Sequence, residues 1–246
     1  MSGHSKWATL KHKKGAADAK RGQMFTKLIK EISIAARMGG GDPEGNPRLR
    51  TAVLKARGAN MPKDNIDRAI KKGTGDLEGV NYEELSYEAY APGGVAILIE
   101  VLTDNKNRAA ADVRNILTRA GGQLATAGAV SRLFKRQGII TLDGEKYTED
   151  QVMEAAIDGG AEDVALLDGM IEVTTAPEDF EGVINALNGK NFETLSAEIS
   201  MVPELEVSLE TDATAKVVRL IDKLEENDDV QNVYSNIEIP EGFEAE

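Results

Sequence analysis

The 246-residue chain has no cysteine, two histidines and an aromatic content of only 4%. Each shortage removes a class of explanation. Without cysteine there are no disulfides and no thiolate chemistry; this suits a reducing compartment, and the expected location is the cytoplasm. So few aromatic rings imply small, mainly aliphatic cores. The longest apolar run, Val95–Leu102, is interrupted by Glu100 and falls short of the ~18–20 residues of a membrane span. No apolar signal region precedes the charged motif at the amino terminus, so no targeting segment is expected. The length accommodates one large domain or two to three small ones.

The charge is strongly segregated. Residues 1–75 hold seventeen Lys and Arg against six Asp and Glu, a net +11 in a chain whose total is −13. The remaining 171 residues therefore carry −24. Such asymmetry points to nucleic-acid or membrane contact. A basic segment neutralises phosphates and releases their counterions, and this gives affinity independent of sequence. The acidic remainder repels a polyanion, so the contact must be one-sided. The bland alternative is a charged, solvated face.

Residues 1–75 read as a basic arm followed by three helices. The arm, Ser2–Gly22, mixes His4, Lys6, Trp7, Lys11, His12, Lys13, Lys14, Lys20 and Arg21 with small residues. From about Gln23 to Met38, Phe25, Leu28, Ile29, Ile32 and Ala36 recur at helical steps, with Lys27, Lys30 and Arg37 expected opposite them, free to meet solvent or phosphate. Asn46-Pro47 suits an N-cap and first helical position. Leu49, Ala52, Val53 and Ala56 form the inner side of this second helix, and Arg48, Arg50, Lys55 and Arg57 add charge. Pro62 opens a third helix that Gly73 closes; Lys71 and Lys72 in its last turn serve the helix dipole, a phosphate, or both. The Gly58-containing turn also resembles a helix-turn-helix, a weak signal because such helix pairs are common.

Residues 76–246 suggest two six-element α+β patterns, both ferredoxin-like (βαββαβ), one inserted in the other. Val95–Leu102 reads as a buried strand, followed by a helix from about Asn107 with Val113, Ile116 and Leu117 inward. Ala129–Phe134 and Leu205–Leu209 are expected strands, and Val217, Ile221 and Leu224 mark a helix before a closing strand at Val230–Tyr234. Between them, Gly138–Leu142 is a strand, Thr148-x-x-Gln151 a capping box, and Asp168-Gly169 a hairpin turn. A helix with Phe180, Val183, Ile184 and Leu187 on one side and an alternating strand at Leu195–Met201 complete βαββαβ, the ferredoxin-like order. The expected organisation has three domains. Residues 1–75 are basic and helical, 76–136 with 204–246 form a discontinuous α+β domain, and 137–203 an inserted acidic one.

Residues 104–136 hold seven basic and two acidic groups, whereas 137–246 hold five basic and 28 acidic. Arg108, Asn115 and Arg119 are expected to be exposed on their helix, with Lys106 beside them. Their cations either extend a basic surface or pair with the abundant carboxylates.

Catalysis finds little support. Both histidines sit in the basic arm, where lysines oppose a metal cation. Neither a phosphate-binding loop, a Gly-x-Ser-x-Gly elbow nor a His-Glu-x-x-His motif is present. The reading is a non-enzyme without metal, cofactor or small-molecule substrate, and without a membrane partner.

Several motifs together resemble the YebC family. They include Gly3-His4-Ser5-Lys6-Trp7, Lys11-His12-Lys13-Lys14, Asp18-Ala19-Lys20-Arg21-Gly22 and Gly39-Gly40-Gly41-Asp42-Pro43. Later matches are Tyr87-Glu88-Ala89-Tyr90-Ala91-Pro92-Gly93-Gly94, Thr103-Asp104-Asn105-Lys106-Asn107-Arg108 and Asp228-Asp229-Val230-Gln231-Asn232-Val233. The resemblance spans nearly the whole chain. It implies three domains and a non-enzymatic role in gene expression. Bacterial members are generally described as DNA-binding transcriptional regulators, and the family includes the translational activator of mitochondrial cytochrome c oxidase.

Two readings follow: a DNA-binding transcriptional regulator acting through its basic domain, or a ribosome-associated translation factor contacting ribosomal RNA. Candidate nucleic-acid contacts are His4, Lys6, Trp7, Lys11, His12, Lys13, Lys14, Lys20, Arg21, Lys27, Lys30, Arg48, Arg50, Lys106, Arg108 and Arg119. Trp7 would stack on an exposed base or anchor the arm to the helices.

Overall fold

The computed structural model describes residues 18–167, 169–240 and 243. The architecture is α+β: three amino-terminal helices, then two α+β units, one inserted in the other. Of the described residues, one compact unit gathers Asp18–Ala129 together with Ala215–Val233; the other holds Val130–Thr214 and the stretch from Tyr234 to Pro240.

Helix α1 (Asp18–Gly39) is the axis of the helical trio, packed by α2 (Pro47–Gly58) and α3 (Lys63–Thr74). Its inward stripe contributes Ile32, Ala35 and Ala36 to a core with Leu49, Ala52, Val53, Ala56, Met61, Ile66 and Ala69. Asn46 caps α2 as its sequence suggests: Oδ1 accepts from the Leu49 amide at 3.1 Å, and Nδ2 donates to the Ala35 and Gly40 carbonyls. The cap therefore also fastens α2 to the end of α1. At Gly73 the backbones of α3 and α1 approach so closely that an added Cβ would lie 2.2 Å from the Ser33 carbonyl oxygen. Only glycine fits there.

The first sheet opens with a hairpin, β1 (Glu83–Tyr90) and β2 (Ala96–Thr103), paired antiparallel from Glu83↔Thr103 to Tyr90↔Ala96. Helix α4 (Lys106–Arg119) packs on both strands, and the short β3 (Gln123–Leu124) pairs with β1. Seven of the eight β2 residues are buried, which accounts for its nearly continuous apolar run. Strand β1, which holds Glu83, Glu84 and Glu88, is not among the expected elements; its extended form comes from the ladder with β2. The expected strand at 129–134 is instead a short 3-10 turn at Ser131–Leu133, with Val130 buried.

The inserted sheet consists of β4 (Phe134–Asp143), β5 (Ala161–Leu167), β6 (Met170–Thr175) and β7 (Thr194–Pro203). Helix α5 (Glu149–Ala156) follows β4, and α6 (Phe180–Gly189) follows β6. The order β5-β6-β4-β7, with every neighbouring pair antiparallel, is the ferredoxin-like βαββαβ arrangement. The capping box forms in full, with Thr148 Oγ1 and Gln151 Oε1 each accepting the other residue's amide. Leu167 pairs with Met170, leaving a two-residue connection in which Gly169 has φ +81°. Of the strand expected at Leu205–Leu209, only β8 (Val207–Ser208) forms.

Helix α7 (Thr211–Glu225) and β9 (Val230–Ser235) return the chain to the first sheet, whose order is β3-β1-β2-β9. The final strand, β10 (Ile237–Glu238), pairs parallel with β8. No described helix is long and apolar enough to cross a membrane.

Candidate nucleic-acid interface

Gln23, Lys27 and Lys30 lie on one face of α1, at steps of four and three residues. This face grips the end of α7 and the loop after it. Gln23 Nε2 donates to the Glu226 carbonyl at 2.9 Å, Lys27 Nζ to the Glu225 carbonyl at 2.6 Å, and Lys30 Nζ to the Asp228 carbonyl at 2.8 Å. Cationic donors at carbonyls left open by a helix C-terminus satisfy those groups and complement the dipole. Lys30 is only 7% exposed. The solvent-facing placement expected for Lys27 and Lys30 is thus corrected: their stems pack inward and their heads hold the protein's own chain.

Asp229 gathers the densest set of donors. One oxygen accepts from Lys30 Nζ at 2.7 Å; the other accepts from Thr103 Oγ1 at 3.0 Å and from Arg108 Nε and Nη2 at 3.2 and 2.8 Å. Burial alone would raise this carboxyl, but hydrogen bonds from Lys30 and Arg108 outweigh it and hold Asp229 below the ordinary carboxylate value. Arg108 also reaches Asp104 at 2.6 Å, and its amide is capped by Asn105 Oδ1. Hydrogen bonds to Asp229 first and Asp104 second raise the Arg108 guanidinium further above its usual value. Tyr82 adds its ring, 5.7 Å from Lys30 Nζ to the centroid.

Arg48 forks onto Glu31 at 2.7 and 3.0 Å and also meets Glu84, joining α2 to α1 and β1. Arg50 holds the Pro43 and Glu44 carbonyls, both at 3.2 Å, and Lys106 pairs with Glu83. Arg21 is exposed and engaged within the chain, whereas Arg119 is exposed and has no partner among the described residues. His4, Lys6, Trp7, Lys11, His12, Lys13 and Lys14 lie outside the described residues; Lys20 is on α1, but its side chain is not described.

On α2, α3 and α4, six cations outside the sequence-derived set are exposed with no hydrogen bond or ion pair from their side chains among the described residues: Arg57, Lys63, Arg68, Lys71, Lys72 and Arg114. The signal that marks them is negative: no carboxylate is within reach. Pair distances decide that, and a single sequence does not display them. Among the described residues, no group of three or more His, Asp or Glu is placed to hold a metal ion.

The motifs that carry this geometry recur elsewhere. The pattern of the TACO1/YebC protein N-terminal domain matches residues 5–76, and that of the TACO1/YebC second and third domain matches residues 82–237. The chain belongs to the TACO1/YebC family. A probable transcriptional regulatory protein of Treponema denticola is 68% identical over 244 residues, covering 99% of each chain. A protein of the same description in Treponema pallidum is 64% identical over 240 residues, covering 98% of each. The crystal structure of a conserved hypothetical protein from Aquifex aeolicus superposes with a TM-score of 0.82 at 46% identity, covering 91% of this chain and 93% of that one. In this TACO1/YebC chain, the family pattern over residues 5–76 takes in both the basic arm and the helical trio.

Proposed function

We propose that this TACO1/YebC chain is a non-enzymatic, cytoplasmic regulator of gene expression that binds DNA through its basic amino-terminal segment. The carrying observation is the +11 charge of residues 1–75 in a chain of net −13. Part of that charge is taken up by internal pairs at Lys30 and Arg48, while Arg57, Lys63, Arg68, Lys71 and Lys72 stay exposed. The arm lysines and the exposed cations of α2 and α3 would contact phosphates, and such contacts position a protein without specifying sequence. Arg114 and Arg119 on α4 extend the same chemistry. The relatives' description as probable transcriptional regulatory proteins supports the DNA reading.

The proposed domains are 1–75 for nucleic acid, 76–136 with 204–246 as a discontinuous α+β domain, and 137–203 as an inserted acidic domain. Phosphate contacts serve DNA and ribosomal RNA alike, so the deciding experiment is sequencing of nucleic acid crosslinked to the full chain in cells. Enrichment of promoter DNA is the expected result. Enrichment of ribosomal RNA would move the assignment to a ribosome-associated translation factor, and enrichment of neither would overturn nucleic-acid binding.

A further inference from the structure

The inserted unit contains a second candidate site, of opposite charge. Ile140, Leu142, Ile171 and Val173 turn to one face of its sheet and join the core with Val183 and Leu187 of α6. Strand alternation sends their neighbours to the other face. There a cavity of about 390 Å³ is lined by residues from all four strands. Ile139, Leu167 and Val202 supply apolar wall; Glu162, Asp163 and Glu172 supply carboxylates.

Glu172 is the unusual member. It is 6% exposed, yet it has no hydrogen bond or ion pair with any described residue. A buried hydroxyl without a partner lies on the same face by alternation: Ser200 is 2% exposed, its Oγ has no hydrogen-bond partner among the described residues, and it sits two residues before Val202 on β7. Glu162 at the rim is already engaged, by Gln137 at 3.1 Å and Lys135 at 3.4 Å.

We propose that this cavity binds an organic cation, an ammonium or guanidinium group on an aliphatic stem, with Glu172 and Asp163 taking the charge and Ile139, Leu167 and Val202 the stem. The volume falls in the range of small-ligand sites, about 300–1,000 Å³. Lys and Arg side chains bury such stems along apolar surface while their heads seek an acceptor. A guanidinium also supplies several fixed donors to carboxylates. An anion would meet three carboxylates, and no donor set for a metal ion is present among the described residues.

Proton linkage follows from the same geometry. By strand alternation the charged groups on the face of Glu172 are Asp163 and the adjacent Glu162 on β5, Glu198 on β7, and Lys135 and Asp143 on β4; Lys135, the one cation among them, is held by Glu162. Burial, and then the Asp163 charge, push the Glu172 carboxyl up to about 7. A bound cation favours the ionised form and expels the proton, so affinity rises about tenfold per pH unit below that value and levels off above it.

The test is calorimetric titration of the full chain with two probes, agmatine and a tetra-arginine peptide, at about pH 6 and about pH 8. Saturable binding that is about tenfold tighter at the higher pH is expected. E172Q should weaken binding at least tenfold and remove the pH difference, and D163N should weaken it as an independent variant. Agmatine binding would identify a free small cation as sufficient; binding of the peptide alone would identify a basic polypeptide segment. Either result sustains the site. The proposal is overturned if neither probe saturates, or if both folded variants bind as the parent does.

Discussion

Lys30 and Asp229 meet at 2.7 Å across 199 residues of sequence, with side chains only 8% and 6% exposed. This pairing ties α1 to the loop between α7 and β9, and Thr103 and Arg108 complete the acceptor's shell. Two buried charges held this way are costly to separate, because each loses water's solvation without regaining it.

Replacing Asp229 by Ala strands Lys30 in the interior and should cost about 3–5 kcal/mol of stability. Urea unfolding measures this. The exposed pair Lys223–Glu226, broken by K223A, should leave the unfolding midpoint nearly unchanged, because solvent screens it.

Asp229 titrates with a depressed folded-state value, so its contribution is present above the unfolded carboxylate value and is lost as pH falls through the folded one. Stability should therefore drop steeply on acidification below about pH 4, and D229N should flatten that limb. An unchanged acid limb in D229N would show that the cluster does not hold its proton off.

Glu172 carries the opposite sign. Its folded-state value is raised to about 7, so the stability it contributes is fully present below the ordinary carboxyl value and lost as pH rises through the folded one. E172Q should be more stable than the parent at pH 8, by up to about 3 kcal/mol, and similar to it at pH 4. Melting curves across that range test this without any ligand.

The four-fold variant R57A/R68A/K71A/K72A should weaken nucleic-acid binding on all sequences tested. For every phosphate that the variant no longer neutralises, the salt slope on duplex DNA should fall by about 0.9. Stability should change by no more than about 0.5 kcal/mol per site, because these side chains are exposed. A folded variant with the parental salt slope would reduce these cations to solvated surface. R48A, by contrast, should act mainly on stability, because it breaks the pairs with Glu31 and Glu84.

Gly73→Ala should cost about 1–3 kcal/mol, because its Cβ would be driven into the Ser33 carbonyl. Gly58→Ala meets nothing within 4 Å and should be neutral or stabilising. Reversal of that order in melting temperature would refute the close approach of α1 and α3.

Features decided within a few residues were legible in the chain itself. The stripe Phe25, Leu28, Ile29, Ile32, the Asn46 cap, the Thr148–Gln151 box, the Gly169 turn and the alternation of Leu195–Met201 each depend on neighbours up to four residues away or on a strict period of two. Charge segregation was legible too, because it is a sum over sequence. What each charge does was not. Lys27 and Lys30 carry the pattern of solvent-facing cations, and only the return of α7 beside α1 supplied the carbonyls and the carboxylate that hold them. Strand β1 was hidden because β2, and not its own polar composition, makes it extended. Glu172 occupies the outward position of an ordinary strand, and the side chains that neighbouring strands set around it, a property of the tertiary fold alone, turned it from a solvated carboxylate into a largely buried one.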